Sequence, residues 1–145
     1  MKELPGAVFV TGQLLPAHIA QLAEQGVQSF VNNRPDGEAV GQPTSEALAE
    51  AAQAAGVAYT HIPMAGALLP DMLARNDEAF STLPRPIVAF CASGMRSAAL
   101  WGFAHCRDLG VEPTLDALTT AGFPLPQLRP QLLAHAERTQ NEQRG

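Results

Sequence analysis

Short apolar runs alternate with amphipathic stretches along most of the chain. Ala7-Val8-Phe9-Val10 is a strand-sized apolar run ended by Thr11-Gly12. Pro16 then opens a predicted helix with Ile19, Leu22 and Ala23 on one face, and Gly26 closes it. Proline at a helix start and glycine just past its end is the expected asymmetry. Val27–Val31 reads as the next strand, followed by the turn-forming cluster Asn32-Asn33-Arg34-Pro35-Asp36-Gly37. Thr44 or Ser45 is placed to cap an alanine-rich helix over Glu46–Ala55 that stops at Gly56. Val57–Ile62 is a third strand. After the apolar loop Pro63–Pro70 a helix is predicted from Asp71 to about Thr82, and the prolines of Leu83-Pro84-Arg85-Pro86 forbid its continuation.

Ile87-Val88-Ala89-Phe90 is apolar at every position, the pattern of a strand buried on both faces. Ser97 to Leu109 reads as a long helix ended by Gly110, and Glu112–Ala121 and Leu125–Glu137 as two more, separated by Gly122-Phe123-Pro124. Repeated strand–helix alternation implies an α/β fold with a mostly parallel sheet of about four strands, flanked by helices. In such sheets ligands bind beyond the C-terminal ends of the strands. No repeat, low-complexity segment or linker divides the chain, so residues 1–137 are expected to form a single domain, with a polar tail over 138–145 that frays.

Composition narrows the functional classes. With 145 residues, 46% of them hydrophobic and 16% charged, the chain carries enough apolar material for one core without disulfides. The formal charge is −5 and Lys2 is the only lysine, so there is no basic footprint for nucleic acid. No segment has the length and apolarity of a membrane helix, and the N-terminus does not read as a signal peptide. Two cysteines are too few for a disulfide scaffold, and a cytoplasmic, reducing location is expected.

The chemistry concentrates in Phe90-Cys91-Ala92-Ser93-Gly94-Met95-Arg96-Ser97. A cysteine between a buried strand and a helix faces unpaired amides and the positive end of the helix dipole. Ala92 and Ser93 are small, and Gly94 allows positive φ, so the loop from Ala92 through Met95 can curl with its N–H groups inward. Such a ring binds an oxyanion and stabilises a thiolate. Arg96 adds a planar fork for two oxygens, and Ser97 is positioned to cap the helix or to donate to the Cys91 sulfur. Cys91 and Arg96 are therefore the candidate catalytic pair, with Ala92, Ser93, Gly94, Met95 and Ser97 binding substrate.

Arg34, Asp36 and His61 follow strand ends and are further candidates, Arg34 for anion binding and Asp36 as an acid. Each also has an ordinary structural explanation in a salt bridge, a turn or a strand end. Asp71 is more simply a helix cap. Cys106 lies too far along its helix from Cys91 to resolve it, and reads as packing. The four histidines show no metal-ligand spacing, so neither a metal nor an organic cofactor is expected.

The Cys-x-x-Gly-x-Arg-Ser loop resembles that of rhodanese-type sulfurtransferases, while its setting resembles the cysteine phosphatases, which usually have one more residue between cysteine and arginine. The helical reading after the loop is phosphatase-like. Together with Thr11-Gly12-Gln13-Leu14 and Asn33-Arg34-Pro35-Asp36-Gly37-Glu38, it is similar to the beta-lactamase-hydrolase-like family, small proteins of protein-tyrosine/dual-specificity phosphatase fold. Ala92 departs from the basic residue that often follows the cysteine in relatives.

The resemblance implies a Cys91 persulfide, fed by a small anionic sulfur donor, thiosulfate or a low-molecular-weight persulfide, and discharged to a thiol, sulfite or cyanide-type acceptor, in association with sulfide-oxidising enzymes. Loop length and the lack of a carboxylate in Pro63–Pro70 favour this sulfurtransferase reading over a phosphatase with a Cys91 phosphocysteine, or over a non-catalytic anion- or persulfide-sensing module. The oligomeric state is left open.

Overall fold

Alternation along single strands assigns each side of the sheet its own core. In the computed structural model, which describes the backbone of residues 1–144 and side chains through Arg138, strand β5 (Ile87–Phe90) lies at the centre. Ile87 and Ala89 enter one hydrophobic cluster, Val88 and Phe90 the other. This is the period-2 geometry of a strand covered on both faces. Strand β5 pairs in parallel with β2 (Val8–Thr11) and β3 (Ser29–Asn32), and β3 pairs in parallel with β4 (Ala58–His61). Val8, Val10 and Val31 join the Ile87 side; Phe30 is buried on the Phe90 side, with Phe9 and Tyr59 packed against it.

A fifth strand, β1 (Lys2–Leu4), adds antiparallel to β2 through the Pro5-Gly6-Ala7 turn and gives the order β1-β2-β5-β3-β4. Hydrophobic pattern alone does not reveal it, because only Leu4 of its three residues is buried. The sheet is thus mixed, with a parallel core of the expected size.

Helices α1 (Pro16–Glu24) and α2 (Ser45–Ala55) cover the Phe90 face through Ile19, Leu48 and Ala52. The other face is covered by α3 (Pro70–Thr82), α4 (Met95–Leu109), α5 (Val111–Thr120) and α6 (Arg129–Arg144), the last preceded by a 3-10 turn at Pro126–Leu128. Gly145, the end of the expected polar tail, lies outside the described residues. Thr44 caps α2, its Oγ1 accepting from the Ala47 N–H at 3.1 Å. Asp71 does not cap α3: the cap position is Leu69, and Asp71 sits in the first turn, where a negative charge still suits the dipole.

The chain runs β2, β3, β4 in one direction across the sheet, then returns through α3 on the opposite face to insert β5 between β2 and β3. This reversal opens a crevice at the C-terminal end of β5, walled by the loops after β2 and β3. The Cys91 loop emerges there.

Candidate active site

Cys91 follows β5 directly and is fully buried, 0% exposed. Its N–H donates to the Thr11 carbonyl at 3.4 Å, and the Gly94 N–H donates to its Sγ at 3.1 Å. The loop is therefore curled as its small residues predict, with at least one amide turned onto the sulfur. Gly94 carries φ +96° and caps the 15-residue helix α4. A Cβ there would lie 3.3 Å from the Thr11 backbone and from the Phe123 ring. Gly94→Ala is accordingly expected to destabilise the domain by about 1–3 kcal/mol and to displace the amide that reaches Cys91. Chemical denaturation of both forms checks this; an unchanged midpoint would contradict it.

The segment after β2 braces the loop from the other side. Gln13 donates its backbone N–H to the Ala92 carbonyl at 3.4 Å, and a Cβ on Gly12 would lie only 3.0 Å from that oxygen. Close approach of two backbones is the reason for glycine here. Ser93 accepts from the Met95 N–H at 3.4 Å, and Met95 itself is 53% exposed at the rim.

Arg96 is held by a carboxylate from a distant loop. Its Nη1 and Nη2 donate to Oε2 and Oε1 of Glu38 at 2.9 and 2.8 Å, and Nη1 also donates to the Met64 carbonyl at 2.9 Å. Glu38 Oε1 simultaneously accepts from Arg34 Nε at 2.9 Å, while Arg34 Nη1 donates to Gln13 Oε1 at 3.1 Å. Two guanidinium groups thus converge on one carboxylate. Hydrogen bonds from Arg96, then from Arg34, hold the Glu38 carboxyl at about 2. Arg96 is pushed up in turn, chiefly by Glu38, with Cys91 a smaller contributor.

Because the folded value of Glu38 lies below its ordinary 4.5, its stabilising contribution is complete above about 4.5 and is lost as pH falls toward about 2. The pair is near the surface, so the effect is small. The stability difference between wild type and Glu38→Gln is expected to shrink across that acid window; urea midpoints against pH measure it, and a difference constant from neutrality to acid would contradict the linkage.

Glu38 is the site residue that sequence spacing did not single out. Its signal is the Arg34/Glu38 separation of four, in a stretch that carries the family resemblance without assigning Glu38 a role. Asn33 is the other. Buried at the end of β3, it donates Nδ2 to the Ile62 carbonyl at 3.0 Å and its Oδ1 accepts from Ser97 Oγ at 2.9 Å. Its own N–H donates to the Phe90 carbonyl and its carbonyl accepts from Met64 N–H. One side chain and its peptide groups therefore tie the ends of β5 and β4 to the first turn of α4.

Ser97 is committed to Asn33 rather than bonding Cys91, because the first turn of α4 presents the hydroxyl to the β3 end. Asp36 has a structural partner as well: its Oδ1 accepts the Ser45 N–H at 2.8 Å and fixes the start of α2. His61 Nε2 donates to the Arg34 carbonyl at 2.8 Å, pinning the loop that carries Arg34 and Glu38. Of Arg34, Asp36 and His61, only Arg34 bonds into the Glu38–Arg96 network. Cys106 packs in the core with its Sγ donating to the Phe103 and Leu132 carbonyls, and burial pushes its thiol up to about 11.

Comparison with known proteins decides the family. The model for the phosphatase-like domain of beta-lactamase hydrolase-like proteins matches residues 1–107. The chain belongs to this family. A beta-lactamase hydrolase-like protein of Agrobacterium fabrum is 33% identical over 119 residues, 80% of this chain and 28% of the relative. One from Xylella fastidiosa is 30% identical over 100 residues, 68% of the chain and 23% of the relative. The chain thus spans about a quarter of the length of the curated relatives it matches.

Among solved structures, a candidate phosphatase from Neisseria meningitidis superposes with a TM-score of 0.77 at 26% identity, covering 92% of this chain and 96% of that one. The core catalytic domain of the PP-IP phosphatase SIW14 from S. cerevisiae, solved with citrate, gives 0.66 at 16% identity over 98% and 91%. The α/β fold, a mixed central sheet flanked by helices, is related to that of the protein-tyrosine/dual-specificity phosphatases.

These findings overturn the rhodanese-like reading of the beta-lactamase-hydrolase-like domain. Sulfur transfer through a Cys91 persulfide was expected from the short Cys-x4-Arg loop and the carboxylate-free Pro63–Pro70 stretch. The family model is phosphatase-like, and the solved neighbours are phosphatases by description. The spacing of two residues fixes the size of an oxyanion ring but not the element at its centre. The second cysteine, Cys106, is buried on the far part of α4 and offers no sulfur relay. Among the described residues no helix is long and apolar enough to cross a membrane.

Proposed function

We propose that this domain is a phosphatase that works through a phosphocysteine on Cys91. The observation that carries the reading is the convergence at one strand end of the Cys91 sulfur, the Gly94 amide aimed at it, and the Glu38-clamped Arg96. Membership in a phosphatase-like domain family supports it.

In the first step the Cys91 thiolate attacks phosphorus; the S–P bond forms as the P–O bond to the leaving group breaks, and that oxygen takes the electron pair. The equatorial phosphoryl oxygens are received by the loop amides between Ala92 and Arg96 and by the guanidinium donors Glu38 leaves open. Catalysis here is positioning and charge stabilisation, as phosphoryl transfer requires. In the second step water attacks the phosphocysteine, orthophosphate departs and the sulfur recovers its electron pair. Arg96 binds substrate through a fork whose orientation Glu38 fixes, while Asn33 and Ser97 hold the first turn of α4 in place beneath the loop. A reducing, cytoplasmic setting suits a free nucleophilic cysteine.

Steady-state release of phosphate from p-nitrophenyl phosphate tests the reading, with vanadate as a competing oxyanion. Saturable turnover inhibited by vanadate is expected. Tight vanadate or phosphate binding without any turnover would instead make the loop an anion-sensing site.

A further inference from the structure

The loops that follow β2, β5, β3 and β4 wall the crevice around Cys91, and their composition limits the leaving group. Residues 12–15, 62–69 and 91–94 contain no aspartate or glutamate; residues 33–44 contain Asp36 and Glu38. Glu38 is bound by two arginines, and Asp36 receives the Ser45 N–H. His61 has its Nε2 on the Arg34 carbonyl, and Asp71 lies in a surface groove with Pro63, Leu69 and Arg75. Among the described residues, no carboxyl of these loops bonds Cys91 or residues 92–95, where an acid for a departing alkoxide would be needed: Glu38 is held by the arginines and Asp36 is anchored through Oδ1 at the start of α2. An alkyl alcohol, with a pKa near that of water at about 15.7, needs such a proton. A departing phosphate monoester, whose second proton dissociates at roughly 6, does not.

A second observation points the same way. Arg34 Nε and Arg96 Nη2 touch one oxygen of Glu38, so these nitrogens are no more than about 6 Å apart. Arg34 has 13% side-chain exposure, and its Nη2 carries no hydrogen bond to any described residue. Arg96 Nε has no carboxylate or carbonyl partner among the described residues. A substrate anion larger than one phosphoryl group therefore meets a second guanidinium with a spare donor beside the first. With the Glu38 carboxylate between them the two arginines carry one net positive charge, spread beyond the reach of a single phosphoryl group.

We infer that the substrate is a phosphoanhydride, its terminal phosphoryl group placed over Cys91 and Arg96 and its leaving phosphate received by Arg34. The inference rests on the phosphatase reading. Sulfur bonds to the terminal phosphorus as the bridging P–O bond breaks. The electron pair stays on the bridging oxygen, which departs unprotonated as a phosphate anion paired to Arg34. Water then hydrolyses the phosphocysteine, its oxygen joining the transferred phosphoryl group as orthophosphate, its protons passing to phosphate and solvent, and the thiolate is restored. Glu38 keeps Arg96 oriented while the leaving anion competes with it for Arg34.

The test compares tripolyphosphate, a series of aryl phosphates of rising leaving-group pKa, and an alkyl phosphate on wild type, Arg34→Gln and Arg34→Lys. On wild type, kcat/KM is expected to fall steeply with leaving-group pKa, the alkyl ester lying at least about 100-fold below the nitrophenyl ester. Arg34→Gln is expected to lower kcat/KM for tripolyphosphate at least about tenfold more than for the nitrophenyl ester, with Arg34→Lys restoring part of the difference. A shallow leaving-group dependence, or equal losses on both substrates in Arg34→Gln, overturns the inference and leaves the phosphatase reading standing. Absence of phosphate release from every substrate removes both.

Discussion

Cys91→Ser is expected to lower kcat/KM for an aryl phosphate by at least about 10³-fold while leaving the fold intact. The change replaces one small buried group with another, and Oγ takes over the hydrogen bond that the Gly94 N–H makes to Sγ at 3.1 Å. What is lost is the nucleophile. A serine hydroxyl has no neighbouring base here: the nearest carboxylate in the charged network, Glu38, is engaged by two arginines. The melting transition should move little, because the buried hydroxyl keeps the Gly94 N–H as its hydrogen-bond partner. Oxyanion binding persists, since its amides and Arg96 are untouched. Kinetics, thermal denaturation and vanadate binding on the same variant separate these outcomes. A residual activity within tenfold of wild type would place the chemistry elsewhere.

The second large effect is expected for Arg96→Lys, a change that keeps the charge and removes the fork. Arg96 makes two hydrogen bonds to Glu38 and one to the Met64 carbonyl, and a lysine ammonium cannot reproduce that planar arrangement while also facing the phosphoryl group. Loss of one oriented donor at a developing charge is worth about 10²–10³ in kcat, and the reduction should fall on kcat more than on KM. Stability should change little, because Glu38 retains Arg34 as a partner. A loss smaller than about tenfold would mean that charge alone suffices at this position, and that the Glu38 clamp has no catalytic consequence.

Both effects involve residues legible in the sequence, for an identifiable reason. Ile87–Phe90 is apolar at every position and is followed at once by small residues, Gly94 and Arg96, so fold, strand end and anion loop are written in one contiguous stretch. The partners of that stretch are not contiguous with it. Glu38 is 58 positions from Arg96 and Asn33 is 64 from Ser97, and only the return of β5 between β2 and β3 brings them together. Glu38 also hides behind Arg34-Pro35-Asp36-Gly37, whose turn character accounts for every residue without a functional role. The short strand Lys2–Leu4 escapes for a different reason. Two of its three side chains are exposed, so its pairing is carried by the backbone, which hydrophobic pattern does not record.

Ser97 and Asp36 show the converse case. Residue type suited each to chemistry, but a helix start and a strand end claim their hydrogen bonds. The contrast between sulfur and phosphorus fails on similar grounds. Loop length and an acid-free Pro63–Pro70 stretch are features of local sequence, whereas the choice of reaction depends on the whole scaffold that holds the loop. An acid-free crevice is compatible with phosphoryl transfer when the leaving group needs no proton, which is the condition a phosphoanhydride or an activated aryl ester satisfies.

The most direct measurement is intact-mass analysis of protein quenched in acid during turnover of nitrophenyl phosphate, followed by peptide mapping. A transient adduct of about 80 Da on the peptide containing Cys91, absent from Cys91→Ser, is the predicted result. Turnover with no adduct on Cys91, or an adduct that persists in Cys91→Ser, would contradict the phosphocysteine mechanism.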